Sequence, residues 1–185
     1  MGIIRLAKDQ VTAGDLFLNA SLKTKWRFSW WRHVAIAFED SDGVVKIADF
    51  DYNGMKIFNL RTYLRMGSFH TVYAIRQRTV SLTEGQKKNL RQTIQALANR
   101  QFTTHYISTW LRRLIFPETT NRDLTCASFV AQCLIGAGLL NARDTNHTKV
   151  TDYEARSGML CDYQPEKLVD RTMYPPYPRC TLSRS

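Results

Sequence analysis

No apolar run in the 185 residues approaches the ~18 that a membrane-spanning helix needs, so no helical span is expected. The first residues, Met1 to Asp9, carry charges where a secretory signal needs its apolar stretch. No signal is read there, and a reducing, cytoplasmic setting is expected. Cysteine is scarce: Cys126, Cys133, Cys161 and Cys180 are too few for a disulfide scaffold and are expected as thiols. Neither Cys-x-x-Cys nor His-x-x-x-His occurs, and His70, His105 and His147 do not pair with cysteines at metal-ligand spacing. Hence no metal and no other cofactor is expected. The nine glycines form neither a phosphate-binding loop nor a dinucleotide fingerprint. Acidic residues are short as well, 16 against 26 Lys and Arg, which leaves a net charge of +10. That balance speaks of partners that carry phosphate or another anion, not of fold.

What is there is ordinary globular material. Apolar residues make up 44% and charged residues 23% of the chain, enough to bury a core without staples. Residues 1–173 are expected as one domain. The Pro-rich end, 174–185, reads as an extended tail.

The chain changes character near Ser81. Before it, short alternating runs predict strands at Asp15–Asn19, His33–Phe38, Val44–Asp49, Met55–Phe58 and Phe69–Arg76, with turns at Glu39–Gly43 and Asn53–Gly54. After it, Ser81 and Glu84 fit a capping box, and Leu90, Ile94 and Leu97 follow at helical spacing. Tyr106–Phe116 is aromatic-rich and stops at Pro117; a polar loop, 118–123, leads into a second helix that opens at Cys126 and closes at Gly138.

Cys126 is the most informative residue. Asp123 or Thr125 could cap its helix, and free amides and the positive end of the helix dipole meet there. Both favour a thiolate, and the same amides can donate to an oxyanion on a substrate carbonyl. The competing reading is a small buried core cysteine sharing a stripe with Phe129, Val130 and Cys133. Cys133 lies deeper along that stripe and reads as core. His33 opens an apolar strand. A strand-borne imidazole facing a helix-borne thiol can act as base and then as acid.

Gly14-Asp15-Leu-Phe-Leu, His33-Val-Ala-Ile-Ala-Phe, the hairpin to Val44-Val-Lys-Ile-Ala-Asp49, and Thr125-Cys126-Ala-Ser-Phe-Val-Ala-Gln resemble, in that order, the NlpC-type papain-like superfamily. More narrowly, the series resembles its circularly permuted branch of YiiX-like, lecithin:retinol acyltransferase-like and poxviral proteins, which places histidine before cysteine. The likeness runs over about residues 11–170, and Asn59–Leu64, Tyr106 and Thr151–Ala155 fall where that branch has counterparts. It implies an α+β fold, an antiparallel sheet packed on helices, with Cys126 as nucleophile and His33 as base. It also implies a third polar residue on the strand after the hairpin. The usual spacing points near Val45 or Ile47, neither of which can orient an imidazole. Asp49, on the same strand face as Ile47, is taken as that residue, with Asp51 as the fallback and a two-residue dyad as the remaining option.

Lys23-Thr-Lys-Trp-Arg-Phe-Ser-Trp-Trp-Arg32 concentrates four cations and four aromatics, including three of the four tryptophans, immediately before His33. Such a mixture suits an anionic bilayer interface. It can also stack on single-stranded nucleic acid, ranked below lipid, or simply pack tryptophan under the sheet. The function expected is a thiol hydrolase or acyltransferase attacking an amide or ester of a peptide, peptidoglycan-type or lipid acyl substrate through a thioester. The rival, from another class, is a catalytically silent protein on the same scaffold that binds lipid or nucleic acid.

Overall fold

The computed structural model describes residues 2–21, 31–102, 123–141 and 148–177. Among them, seven strands form one sheet: β1 (Ile3–Ile4), β2 (Leu16–Ser21), β3 (His33–Glu39), β4 (Val45–Asp51), β5 (Gly54–Phe58), β6 (Thr71–Arg76) and a late strand, Lys167–Val169. A two-residue pair, β7 (Gln101–Phe102) and β8 (Asp123–Leu124), stands apart, so the late strand is β9. The sheet order is β1-β9-β6-β2-β3-β4-β5, antiparallel except where β1 pairs with β9. Among the described residues are three α-helices, α1 (Leu60–Met66), α2 (Glu84–Leu97) and α3 (Cys126–Gly136), and three short 3-10 turns.

Period-two alternation decides which helix covers which face. Leu16, Leu18, Val34, Ile36, Ala48 and Phe50 point to one side, where Leu90, Ile94 and Leu97 of α2 and Phe129, Val130 and Leu134 of α3 close the main core. Phe17, Ala35, Ala37, Ile47, Tyr73 and Ile75 point to the other and bury Leu60, Tyr63 and Leu64 of α1. The sheet is therefore covered on both sides.

The turn entering β2 is held from three directions. Gly14 has a φ of 93°, its amide donates to the Ala37 carbonyl at 2.8 Å, and Tyr163 donates to its carbonyl at 2.7 Å. Next to it, buried Asp15 accepts from the amides of Thr12 and Arg78. Arg76, also buried, donates to the carbonyls of Tyr153, Leu160 and Gln164, which stitches the late segment onto β6.

Three local expectations shift. The cap of α2 is Thr83, paired with Gln86, not Ser81 with Glu84. Leu82 is buried against the core, so the chain is still extended there and the helix starts two residues later. The sixth strand begins at Thr71, not Phe69, which is 79% exposed at the tip of the preceding loop. Asn59–Leu64, read only as a family counterpart, opens a helix whose cap is the Asn59 side chain, accepting from the Thr62 amide at 2.8 Å. In the tail, Tyr174 donates to the Leu6 carbonyl and Tyr177 lies under the Arg65 guanidinium, so residues 174–177 are tied to the domain. Residues 178–185 lie outside the described residues.

Candidate active site

Cys126 is the first residue of α3, and Thr125 caps that helix. The Thr125 hydroxyl accepts from the Ser128 amide at 3.1 Å, and the Ser128 hydroxyl oxygen accepts from the Thr125 amide at 2.7 Å. Of the three amides in the first turn, Ser128 is thus occupied, and those of Cys126 and Ala127 remain as donors. Asp123, the other candidate cap, sits in β8 opposite Gln101. Two contacts hold α3 in place. Phe129 stacks on Phe50 of β4, with ring centres 5.1 Å apart, and Tyr153 donates to the Ala127 carbonyl at 2.5 Å. The helix start is therefore set against β4 from one side and anchored by the late segment from the other.

His33 and Asp49 come from the sheet. The β3–β4 ladder runs from Glu39–Val45 to Ile36–Ala48 and stops there. Beyond it, the start of β3 and the end of β4 are not paired with each other. Continuing the register would set Asp49 opposite Ala35, a diagonal neighbour of His33 on the same face. The structure brings the two together: His33 Nε2 and the Asp49 carboxylate share a short hydrogen bond. The Cys126 thiol lies near enough to the same imidazole to raise its pKa, after Asp49. With Nε2 engaged by Asp49, Nδ1 is the ring nitrogen left for the thiol. The three groups form a series, Cys126–His33–Asp49, at the sheet end where β3 and β4 part.

The electrostatics follow from that series. Burial alone would pull the imidazole's pKa down. The hydrogen bond to Asp49 and the neighbouring Cys126 thiol, then the charges of both, overcome this and push His33 up to about 10. The site is sheltered: Cys126 is 8% exposed and the His33 side chain 18%. Cys133 is fully buried two turns along α3, and burial pushes its thiol up.

The remaining sequence candidates separate cleanly. Asp51, the fallback, pairs with Lys56 Nζ at 2.9 Å and does not join the series. His70 is exposed, in the loop before β6. Of the basic aromatic segment, Lys23–Trp30 lies outside the described residues, as do Tyr106, His105, His147 and Cys180. Its end is described: Trp31 is buried in the main core and Arg32 is exposed. Sequence reasoning did not single out Asn19, which pairs in register with His33, or Tyr63, which packs on the sheet face that carries His33 and Asp49. It placed Tyr153 only within a family segment, with no partner. Their signal was weak, since aromatic residues on apolar stripes read as core.

No family model and no curated protein matches the chain. Among solved structures, the fold is similar to the metalloprotein YiiX from Escherichia coli O157:H7, with a TM-score of 0.50. The likeness covers 88% of this chain and 90% of that one at 14% identity. The chain thus has a YiiX-like α+β fold.

Proposed function

We propose that this protein is a thiol hydrolase or acyltransferase of the permuted papain-like (NlpC-type) kind. Cys126 is its nucleophile, His33 its base and acid, and Asp49 the residue that orients His33. The observation that carries the reading is the series Cys126–His33–Asp49, three groups that chain topology assembles from a helix and two strands. An imidazole held at about 10 suits a thiolate–imidazolium pair at neutral pH. In the first step, Cys126 Sγ bonds to the carbonyl carbon of an amide or ester, and the carbonyl electron pair moves onto oxygen. The amides of Cys126 and Ala127 are placed to donate to that oxyanion. His33 gives its proton to the leaving amine or alcohol as the tetrahedral adduct collapses to a thioester. Water or an acceptor alcohol or amine then loses a proton to His33 and attacks the thioester, releasing the Cys126 thiolate.

The structural neighbour is called a metalloprotein. Among the described residues, the donor set does not suit an ion: no group of three or more His, Cys, Asp or Glu there could hold one. Asp49 is engaged with the His33 imidazole, the ring that the proposed reaction needs for proton transfer. No step is routed through a metal.

The test is to incubate wild type and Cys126→Ala with a panel of activated acyl, peptide and phospholipid esters and weigh the intact protein. An acyl adduct on wild type that is absent from the variant supports the reading. No adduct with any ester, together with cysteines that alkylate at equal slow rates, would replace it with a binding protein on the same scaffold.

A further inference from the structure

The peptide unit between Ala127 and Ser128 is gripped at both ends. Its N–H donates to the Thr125 hydroxyl at 3.1 Å, and its carbonyl accepts from the Tyr153 hydroxyl at 2.5 Å. Each bond polarises the peptide in the sense that strengthens the other. A carbonyl at the start of an α-helix is already served by the amide four residues on, so helix formation does not call for a second donor there. The Tyr153 hydroxyl supplies one all the same, on the residue directly after Cys126.

Tyr153 is itself fixed from the sheet. It ends the 3-10 turn Val150–Tyr153 and is fully buried in the main core. Its carbonyl accepts from the guanidinium of Arg76 at 2.6 Å, and Arg76, 2% exposed, is held in turn by the carbonyls of Leu160 and Gln164. Arg76 closes β6, which pairs with β2, and β2 pairs with β3 as far as Asn19–His33. Arg76 and Tyr153 therefore form a bridge through the core, from the sheet that carries His33 to the helix start that carries Cys126. The other hold on α3, the Phe50–Phe129 stack, has rings only 14° from parallel, a contact that resists separation but tolerates sliding. A hydrogen bond is directional and does not. Burial pushes the Tyr153 phenol well above its ordinary value, so it keeps its proton and remains a donor.

We propose that Tyr153 is a positioning residue for the thiol: its hydroxyl, held from the sheet through Arg76, fixes the first turn of α3 and so sets Cys126, with the free amides of Cys126 and Ala127, against His33. The inference rests on the hydrolase reading above and deepens it. Tyr153 touches no substrate and moves no proton; it acts through the backbone that carries the nucleophile.

The experiment uses Tyr153→Phe in the full chain, which removes the hydroxyl and keeps the ring. Iodoacetamide alkylation of Cys126 at pH 7 should slow about fivefold, the worth of one ordinary hydrogen bond, and its pH profile should move up toward that of a free thiol. Buried Cys133, two turns along the same helix, is the internal control and should stay as slow as in wild type. On a His33→Gln background, Tyr153→Phe should slow Cys126 no further, because no imidazole is left to be placed against. If Tyr153→Phe does not fold, Arg76→Lys, which loosens the bridge at its sheet end, replaces it. An unchanged Cys126 rate and pH profile, with only a lower thermal midpoint, would overturn the proposal. So would Cys133 becoming reactive in step, the mark of a helix loosened along its whole length. If wild-type Cys126 alkylates no faster than exposed Cys161, the hydrolase reading fails on its own ground. Thermal midpoints of Tyr153→Phe, Thr125→Ala and the double variant then still decide whether the two side chains grip one peptide unit, with sub-additive losses upholding it and additive losses refuting it.

Discussion

Asp49 holds His33 across a gap in the sheet: the ladder joining their strands ends at Ile36–Ala48, and the two side chains close the distance that the backbone leaves open. A hydrogen bond in that position makes the protonated imidazole part of the folded state's stability. His33 titrates at about 10 when folded, against ~6.5 for a free histidine. The contribution is therefore complete below pH ~6.5 and is lost as the pH rises through about 10. His33→Gln should melt roughly 5 °C below wild type at pH 6.5, and the gap should narrow steadily toward pH 10. Differential scanning calorimetry across that range checks it. A gap that stays constant, or widens with pH, would mean that the imidazole is neutral in the folded protein.

Cys126 should be the one fast thiol. It opens α3 beside His33, whereas Cys133 is sealed in the core and Cys161 is exposed with no imidazole described beside it. Labelling with limiting iodoacetamide at pH 7, followed by peptide mapping, should place the first adduct on Cys126. His33→Gln should slow that step by tenfold or more, because the thiolate loses its partner cation. Cys126→Ala should lose all turnover, with a thermal midpoint within a few degrees of wild type, since one small side chain replaces another. Turnover that survives in Cys126→Ala and disappears in Cys133→Ala would reassign the nucleophile.

The parts of this arrangement that were legible in the sequence are those written in local chemistry. Alternation in Val34–Phe38 and in the run to Asp49, the turn at Asn53–Gly54 and the stripe Leu90, Ile94, Leu97 each report a neighbour a few residues away. The helix at Cys126 was legible for the same reason, although two caps were open and geometry chose Thr125. Asp49 was reachable only through strand parity, because what brings it to His33 is the early end of a ladder, which leaves no mark on composition. Tyr153 was not legible as a neighbour of the site. It acts on Ala127, 26 positions away, from a segment whose aromatic character says only that it is buried.

The basic aromatic segment carries a prediction that stands on sequence. It ends at buried Trp31 and exposed Arg32, directly before His33, so whatever it binds is bound close to the site. Each cation near an anionic bilayer adds about 1 kcal/mol of attraction at modest salt. Changing Lys23, Lys25, Arg27 and Arg32 to Gln should abolish co-sedimentation with phosphatidylserine vesicles, and raising salt to 0.5 M should do the same to wild type. Equal binding of wild type and variant, or binding of neither, would remove lipid as the partner.

The seating of α3 gives the last prediction, which links packing to the site. Gly136 ends that helix against α2, where a Cβ would lie 2.1 Å from Thr93 Oγ1, 2.9 Å from its Cγ2 and 3.0 Å from its Cβ. Thr93 cannot turn aside without cost, because its hydroxyl donates to the Asn89 carbonyl at 2.9 Å. Gly136→Ala must therefore push the end of α3 away from α2, which overpacking studies place at about 1–3 kcal/mol. That is a fall of roughly 3–9 °C in thermal midpoint for a domain of this size. A rigid helix pivoting on the Phe50–Phe129 stack also moves its first residue, so Cys126 should alkylate more slowly in the same variant. Thr93→Ala removes two of the three clashing atoms and should restore most of both losses. A variant that melts lower while Cys126 reacts at the wild-type rate would show that the start of α3 is held independently of its end.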